Sequence, residues 1–226
     1  MVSFVHGSVI FLLSSYQVLF APSECGDENT NTEYFILTVS GGFFTYDLFV
    51  MAWYQLLDKD MHSPADIVIH HMICIGGVLA TLAQNMGAGF GVQMLFMAEV
   101  SCPAMHMRVI LRNLGKRYTL AYELSEYAYF ISFFVGRVIM GHPVVYSMVT
   151  CQHMCTFNKF AAVGILLLSY MYLYRMRFIM NSRIKETTER KSKGIENKWF
   201  EPIPQKILED CAFWQKSQKV RSKLHG

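Results

Sequence analysis

The stretch Asp66-Ile-Val-Ile-His70-His71 places two imidazoles and a carboxylate at the start of a long apolar segment. Three more ionisable residues lie inside other apolar segments, namely Asp47, Glu99 and Arg137. An ionisable side chain in hydrocarbon costs about 2.5–3.5 kcal/mol on insertion scales, so it is kept where it faces a polar partner or a cavity. We therefore expect these side chains to line a buried polar site between membrane helices.

The composition favours a membrane bundle over a soluble domain. Hydrophobic residues make up 53% of the 226 residues and charged residues only 16%, whereas soluble domains contain about 25% charged residues. Six apolar segments of about 19–24 residues each have the length that a membrane helix needs. They are Val2–Phe20, Tyr34–Leu56, Pro64–Asn85, Ala88–Leu111, Leu120–His142 and Phe160–Met180. The sequence predicts an all-α fold, a polytopic membrane helix bundle of about six transmembrane helices.

The connecting segments alternate in charge. Residues 21–33 and 143–158 contain no Lys or Arg, whereas basic residues cluster after the fourth span and at the start of the tail. The positive-inside rule therefore predicts that both termini face the cytoplasm. Cys25, Cys151 and Cys155 are expected on the opposite, lumenal side, where a disulfide among them and free thiols are the two alternatives.

Residues typical of helix starts, a proline inside a span and the composition of the tail give further expectations. Ser63-Pro64-Ala65-Asp66 is typical of a helix start, with Ser63 as N-cap. Pro103 predicts a kink just past Glu99. Ile184–Lys198 is expected to be a solvated helix or disordered, and Trp199–Trp214 either a membrane-surface helix or a flexible tail. We expect a transmembrane domain at residues 2–184 and a cytoplasmic basic, amphipathic tail at residues 185–226.

Several classes of function are not expected. A net charge of +3, without zinc-finger spacing or a basic–aromatic array, predicts no nucleic-acid partner. The eight His residues include one adjacent pair and no HxxxH box beside it in the spans, so a di-iron site is not expected. The segment Cys151-Gln-His153-Met-Cys155 lacks a partner set at zinc-finger spacing. We expect no metal site and no permanently bound cofactor.

Depth arithmetic groups the ionisable residues into two layers. At 1.5 Å per residue, Asp47 lies roughly 14 Å and the His pair roughly 10 Å from the cytoplasmic side, while Glu99 and Arg137 lie about 20 Å or deeper. We predict that Asp47 meets the His pair and that Glu99 forms a buried ion pair with Arg137.

Adjacent histidines project about 100° apart on a helix, so we assign His70 to Asp66 and His71 to Asp47. A carboxylate that orients a His serves general-base and nucleophilic catalysis. The alternative is a His that satisfies a neighbouring polar group and has no further role.

The motifs also occur in a familiar order. Tyr46-Asp47 lies in one span, His70-His71 opens the next, Glu99-Val-Ser101-Cys-Pro103 with Arg108 follows, and Phe134-Val-Gly-Arg137 comes last. This order resembles the TLC-domain family, the membrane fold shared by ceramide synthases, translocating-chain-associated membrane proteins and a ceroid-lipofuscinosis protein. The closest likeness is to the small TLC-domain-containing proteins, and it extends from about Val2 to Ile184.

The resemblance implies a TLC-type fold and roles for the site residues. His70 or His71 would handle the acyl group or a proton, and Asp47 would orient that imidazole. Glu99 and Arg137 would hold the cavity. The supporting residues would be Asp66, Arg108 and Ser101.

Two departures limit the resemblance. Such proteins usually carry one more hydrophobic segment before the stretch that matches Val2–Phe20, so we expect a truncated or late-starting chain. Ceramide synthases follow their His pair with further Asp residues, where this sequence has Glu99 and Arg108.

Two functions therefore stay open. One is a fatty-acyl transferase related to ceramide synthases, with acyl-CoA as substrate. The other is a non-catalytic lipid-binding protein, a regulator of membrane composition or a secretory-pathway cargo receptor. In both cases the partners are membrane lipids, and the resemblance favours the endoplasmic reticulum over the plasma membrane.

Overall fold

The computed structural model describes residues 2–57 and 65–215. Within these ranges the chain is helical, with one isolated bridge between Glu28 and Met86 and no β-strand. The helices are α1 (Val2–Phe20), α2 (Asn31–Leu57), α3 (Ala65–Gln84), α4 (Ala88–Glu99), α5 (Cys102–Asn113), α6 (Leu120–Phe133), a π-helix (Phe134–Met140), α7 (Gly141–Thr150), α8 (Thr156–Ser192) and the short α9 (Gln205–Leu208).

Six helical stretches of the described chain are long and apolar enough to cross a membrane, so the predicted all-α bundle is confirmed. The first span begins and ends as predicted, the third (Ala65–Gln84) lies within the predicted Pro64–Asn85, and the other four extend further. The last span predicted, Phe160–Met180, belongs to α8, which continues through the charged stretch after Ile184 as far as Ser192. The domain division predicted after residue 184 falls inside this helix and stays a prediction. The helix start predicted at Ser63 lies outside the described residues.

Two prolines lie where helical geometry changes. α4 ends at Glu99 and α5 begins at Cys102, which confirms the kink predicted from Pro103. The Pro103 ring would clash with the carbonyl of Glu99, four residues earlier, in a continuous α-helix. The π-helix, which the sequence analysis missed, comes just before Pro143. In an α-helix that proline would clash in the same way with the carbonyl of Ile139, and the wider π turn avoids this.

The chain divides into two compact units, one formed by residues 1–103 and 131–172 and the other by residues 104–130 and 173–226. The first unit has two apolar clusters. One contains the fully buried Ile10, Ile36 and Val92, and the other contains Phe90 and Val145. These clusters hold together the helices that carry most of the ionisable residues singled out in the sequence.

Three loops meet at one end of the first unit. A disulfide joins Cys25 to Cys151, and Cys155 is a free thiol, so the disulfide is the alternative that the structure favours. Asn29 bonds the connection between α3 and α4 twice, since its backbone N–H donates to Asn85 O at 3.2 Å and its Oδ1 accepts from Ala88 N at 2.8 Å. The loops therefore fix the start of α4.

The same end contains a fully buried carboxylate. Glu33 is 0% exposed, and its Oε2 accepts from Thr30 N at 2.8 Å while its own N–H donates to the Thr30 hydroxyl at 3.3 Å. This reciprocal capping box starts α2. The hydroxyl of Ser23 also donates to Glu33. The carboxylate is therefore well satisfied and belongs to the architecture of this end.

The second unit contains a network of charged side chains. Glu126 is 4% exposed and lies 3.4 Å from Arg108 Nη1 and 3.1 Å from Arg183 Nε. Glu123 pairs with the buried Arg190. Charges as buried as these are stable only when paired, so the network ties α5, α6 and the end of α8 together.

The tail packs within the second unit. The backbone N–H groups of Leu120 and Ala121 donate to the carbonyls of Lys198 and Trp199, at 2.9 and 3.2 Å. Leu208 is only 1% exposed. Over the described residues 193–215 the chain is therefore neither of the two forms expected, a flexible tail or a single surface helix. Prolines in Glu201-Pro-Ile-Pro204 interrupt any long helix there.

We expect Cys25→Ser to lower the melting temperature of the detergent-purified protein. The Cys25–Cys151 bond joins residues 126 positions apart, and loss of such a cross-link costs about 2–5 kcal/mol. Thermal denaturation and thiol labelling would measure this. Cys155→Ser is the matched control from the same loop and should melt like the unsubstituted protein. Equal melting of the Cys25 variant would contradict the stabilising role of the bond.

Candidate functional site

A cavity lies inside the first unit, between α2, α3, α4, the π-helix and α8. The cavity has a volume of about 100 Å³. One water molecule needs about 10–15 Å³ on the same measure. Most of the lining is apolar, including Leu37, Ile73, Val78 and Ile165. The polar lining residues are His70, Cys74, Thr81, Glu99, Arg137 and Asn158.

One face of α3 forms a long wall of the cavity. The wall begins at His70, ends at Thr81 and includes Ile73, Cys74 and Gly77, a spacing that places these residues on one side of a helix. Eleven residues correspond to about 16 Å along the helix axis. The cavity is therefore an elongated space with His70 at one end of this wall and Thr81 at the other.

The structure brings His71 and Asp47 together, as the sequence assigned them. His71 Nδ1 lies 3.4 Å from Asp47 Oδ2, and His71 is 8% exposed. The contact lacks hydrogen-bond geometry, since this nitrogen has no hydrogen-bond partner. The His71 ring also packs on Phe44, with centroids 5.3 Å apart. Neither His71 nor Asp47 is a lining residue of the cavity.

His70 occupies a different environment from its neighbour. It lines the cavity, and its Nε2 lies 3.8 Å from Cys74 Sγ while its Nδ1 is buried without a hydrogen-bond partner. The hydrogen bond predicted between Asp66 and His70 does not reach Nδ1, and for Nε2 it stays a prediction. Adjacent helical residues point about 100° apart, so the two imidazoles separate. The structure therefore differs from the two predicted layers. His70 lines the same cavity as Glu99 and Arg137 and does not group with Asp47.

Glu99 and Arg137 line the same cavity, but no salt bridge joins them in the described part of the chain, so the structure does not show the direct ion pair predicted between them. Arg137 Nη2 donates to Ala98 O at 3.4 Å, and its Nε is buried without a partner. Glu99 is 7% exposed and hydrogen-bonded to the Cys102 thiol. A Cβ on Gly7 would lie 2.9 Å from Glu99 Oε2, so the carboxyl turns toward α1.

Two of the predicted supporting residues, Ser101 and Arg108, belong to different units. Ser101 is buried at the break between α4 and α5, where its hydroxyl donates to Ala98 O at 3.4 Å. Arg108 belongs to the second unit, with Glu126. Ser101 therefore contacts Ala98, a lining residue of the cavity. Arg108 belongs to the charged network of the second unit.

Some residues of the site were missed in the sequence. Asn158 is 3% exposed and lines the cavity, where its Nδ2 donates to Thr81 Oγ1 at 2.8 Å and its Oδ1 has no partner. His6, which is not a lining residue of the cavity, stacks on Phe43 with centroids 3.8 Å apart. A lone Asn near a helix start and a lone His in the first span gave only weak signals. Among the described residues, no group of three or more His, Cys, Asp or Glu could hold a metal ion.

Residues 1–184 match the family model of the TLC domain. The chain belongs to the TLC-domain family. The resemblance noted in the sequence is thereby confirmed, and with the six apolar helices it makes this chain a multi-pass membrane protein of that family. No solved structure matches the chain.

We expect Gly136→Ala to destabilise this TLC-domain protein by about 1–3 kcal/mol, the usual cost of overpacking. A Cβ at Gly136, next to Arg137 in the π-helix, would lie 2.7 Å from the backbone oxygen of Met97. Thermal denaturation would measure the change. Gly42→Ala in α2 is the matched control, because a Cβ there meets nothing within 4 Å, and it should be neutral or slightly stabilising. Equal melting temperatures for the two variants would contradict the close packing of α4 on the π-helix.

Proposed function

We propose that this protein binds the hydrocarbon chain of a membrane lipid in the cavity of the first unit and acts in lipid metabolism or homeostasis. The observation that carries the proposal is the cavity itself. Most of its lining is apolar, and buried polar atoms without partners belong to some of its lining residues. These atoms are His70 Nδ1, Arg137 Nε and Asn158 Oδ1.

Both features favour a lipid as ligand. An apolar void loses packing contacts that a hydrocarbon chain would restore. A buried polar atom left unpaired costs about 1–3 kcal/mol, and a polar group on a ligand would recover part of that cost. Binding sites are commonly apolar with a few polar groups placed to orient the ligand. A molecule with one polar end and a long apolar part fits this pattern.

We further infer that both termini face the cytoplasm and that the loops joined by Cys25–Cys151 face the lumen. Disulfides persist in oxidising compartments, and residues 21–33 and 143–158 contain no Lys or Arg, which favours the non-cytoplasmic side. The endoplasmic reticulum is the location that we propose, and the plasma membrane with its extracellular face is the alternative.

Lipid binding predicts that the purified protein carries a lipid that a cavity-filling substitution displaces. Ala161 lines the cavity, so Ala161→Trp should lower the amount of co-purified lipid several-fold in quantitative mass spectrometry. Val163→Trp, at an exposed position two residues further along α8, is the matched control and should keep the lipid. Equal lipid content in the two variants, or no lipid in the unsubstituted protein, would refute the proposal.

Acyl transfer is the second candidate, and the contact between His71 and Asp47 favours it. A carboxylate beside an imidazole raises its basicity and fixes its orientation, as general-base catalysis requires. The geometry supports this candidate less well than lipid binding. The His that meets a carboxylate does not line the cavity, and the His that lines the cavity, His70, has Cys74 as its neighbour.

If the protein transfers acyl groups, Asp47→Asn should lower turnover of acyl-CoA by about 10²-fold or more, the contribution of a positioned general base. Bound lipid should remain, because Asp47 lies outside the cavity lining. Release of free CoA by the purified protein would be the measurement, and the exposed His153, as His153→Ala, supplies the control. Absence of turnover in the unsubstituted protein, with lipid bound, would remove this candidate and leave the first.

A further inference from the structure

Arg137 is a cation inside a membrane helix bundle with few polar contacts. Its Nη2 donates to Ala98 O at 3.4 Å, its guanidinium lies 5.7 Å from the centre of the Phe133 ring, and its Nε has no partner. A charge in the hydrocarbon layer is kept where something neutralises it or where a polar cavity receives it. One long hydrogen bond and one aromatic ring are little compensation for a guanidinium.

The nearest protein carboxylates are engaged elsewhere. Glu99 acts on Arg137 only through a longer-range attraction, since its carboxyl bonds the Cys102 thiol and faces Gly7. Asp47 lies against His71, outside the cavity lining. Within the described residues, the cavity side of Arg137 is therefore open to an anion that the protein itself does not supply.

The surroundings of Arg137 limit what that anion can be. Arg137 is the only Lys or Arg among the described residues that line the cavity, so the site offers one positive charge. His70, in the same lining, has a buried nitrogen without a hydrogen-bond partner. The wall that begins at His70 continues for about 16 Å along α3, and between its ends at His70 and Thr81 only Cys74 is polar. A single negative charge with two acceptor oxygens, followed by one apolar chain, matches these features.

We propose that the ligand is a single-chain lipid with a carboxylate head, a fatty acid anion, and that Arg137 binds its carboxylate. Arginine is suited to this role, because its planar fork of N–H groups matches the two oxygens of a carboxylate. The chain then lies along the face of α3 that ends at Thr81, where Asn158 closes the far end. This inference rests on the proposed function, that the cavity holds a lipid chain.

The test compares a charged and an uncharged ligand with the same chain. The full-length protein in phosphatidylcholine nanodiscs binds radiolabelled palmitate or radiolabelled methyl palmitate, and the two dissociation constants are measured. We expect palmitate to bind about tenfold more tightly or better, a difference set by the charge-assisted contact with Arg137. Arg137→Gln should remove this preference and Arg137→Lys should keep part of it. Methyl palmitate should bind both variants as it binds the unsubstituted protein.

A control variant and further ligands distinguish the possible results of this test. Arg177→Gln, an exposed arginine of α8, is the matched control and should keep the full preference for palmitate. Equal affinity for palmitate and methyl palmitate would overturn the carboxylate while leaving the lipid cavity in place. Tighter binding of lysophosphatidate than of palmitate would overturn it in favour of a phosphate head. Failure of both palmitate and its ester to bind would overturn the proposed function, and this inference with it.

Discussion

A membrane interior cannot hydrate a charge, and this constraint shapes the first unit of the structure. Each ionisable residue there must meet a partner or face a cavity. Asp47 meets His71 at 3.4 Å. Glu99 finds the thiol of Cys102 and a close approach of α1 at Gly7, where any larger residue would collide with its carboxyl. Arg137 receives one backbone carbonyl and otherwise faces the cavity. The arrangement of helices follows the needs of these few side chains as much as apolar packing.

The spans could be predicted because their signal is local. About twenty apolar residues are needed to cross a bilayer, and a proline changes a helix within one turn of itself, so the number of spans and the break after Glu99 can be deduced from short stretches. The partner of Arg137 could not be deduced in this way. Depth arithmetic places residues at a level along the membrane normal and says nothing of the direction in which they point. Arg137 also lies within a π-helix, whose wider turn changes the direction of every side chain relative to an α-helix.

The contacts of the tail also could not be predicted from local sequence. Its backbone bonds to the start of α6, where Leu120 N donates to Lys198 O, join residues far apart in sequence. Nothing in the local composition of 193–215, which is rich in charge and interrupted by two prolines, indicates such a pairing. Glu189 likewise accepts from the backbone N–H of Ala212, a contact that depends on where the chain turns back. Long-range pairing of irregular backbone leaves no periodic pattern, and for that reason neither alternative expected for Trp199–Trp214, a membrane-surface helix or a flexible tail, included these contacts.

The two ends of the cavity are held by different forces. At one end, the disulfide fixes Cys151, α8 begins five residues later at Thr156, and Asn158 bonds Thr81 across to α3. This end is held by a covalent bond and by the bond between Asn158 and Thr81, although Asn158 Oδ1 has no partner. At the other end, His70 and Arg137 keep polar atoms without partners. Unsatisfied groups carry a cost that a bound ligand can remove, whereas satisfied ones gain nothing from it. Unpaired polar atoms occur at both ends, but the guanidinium of Arg137 lies at the end of His70, so this positive charge determines which way round a molecule with one anionic head would lie.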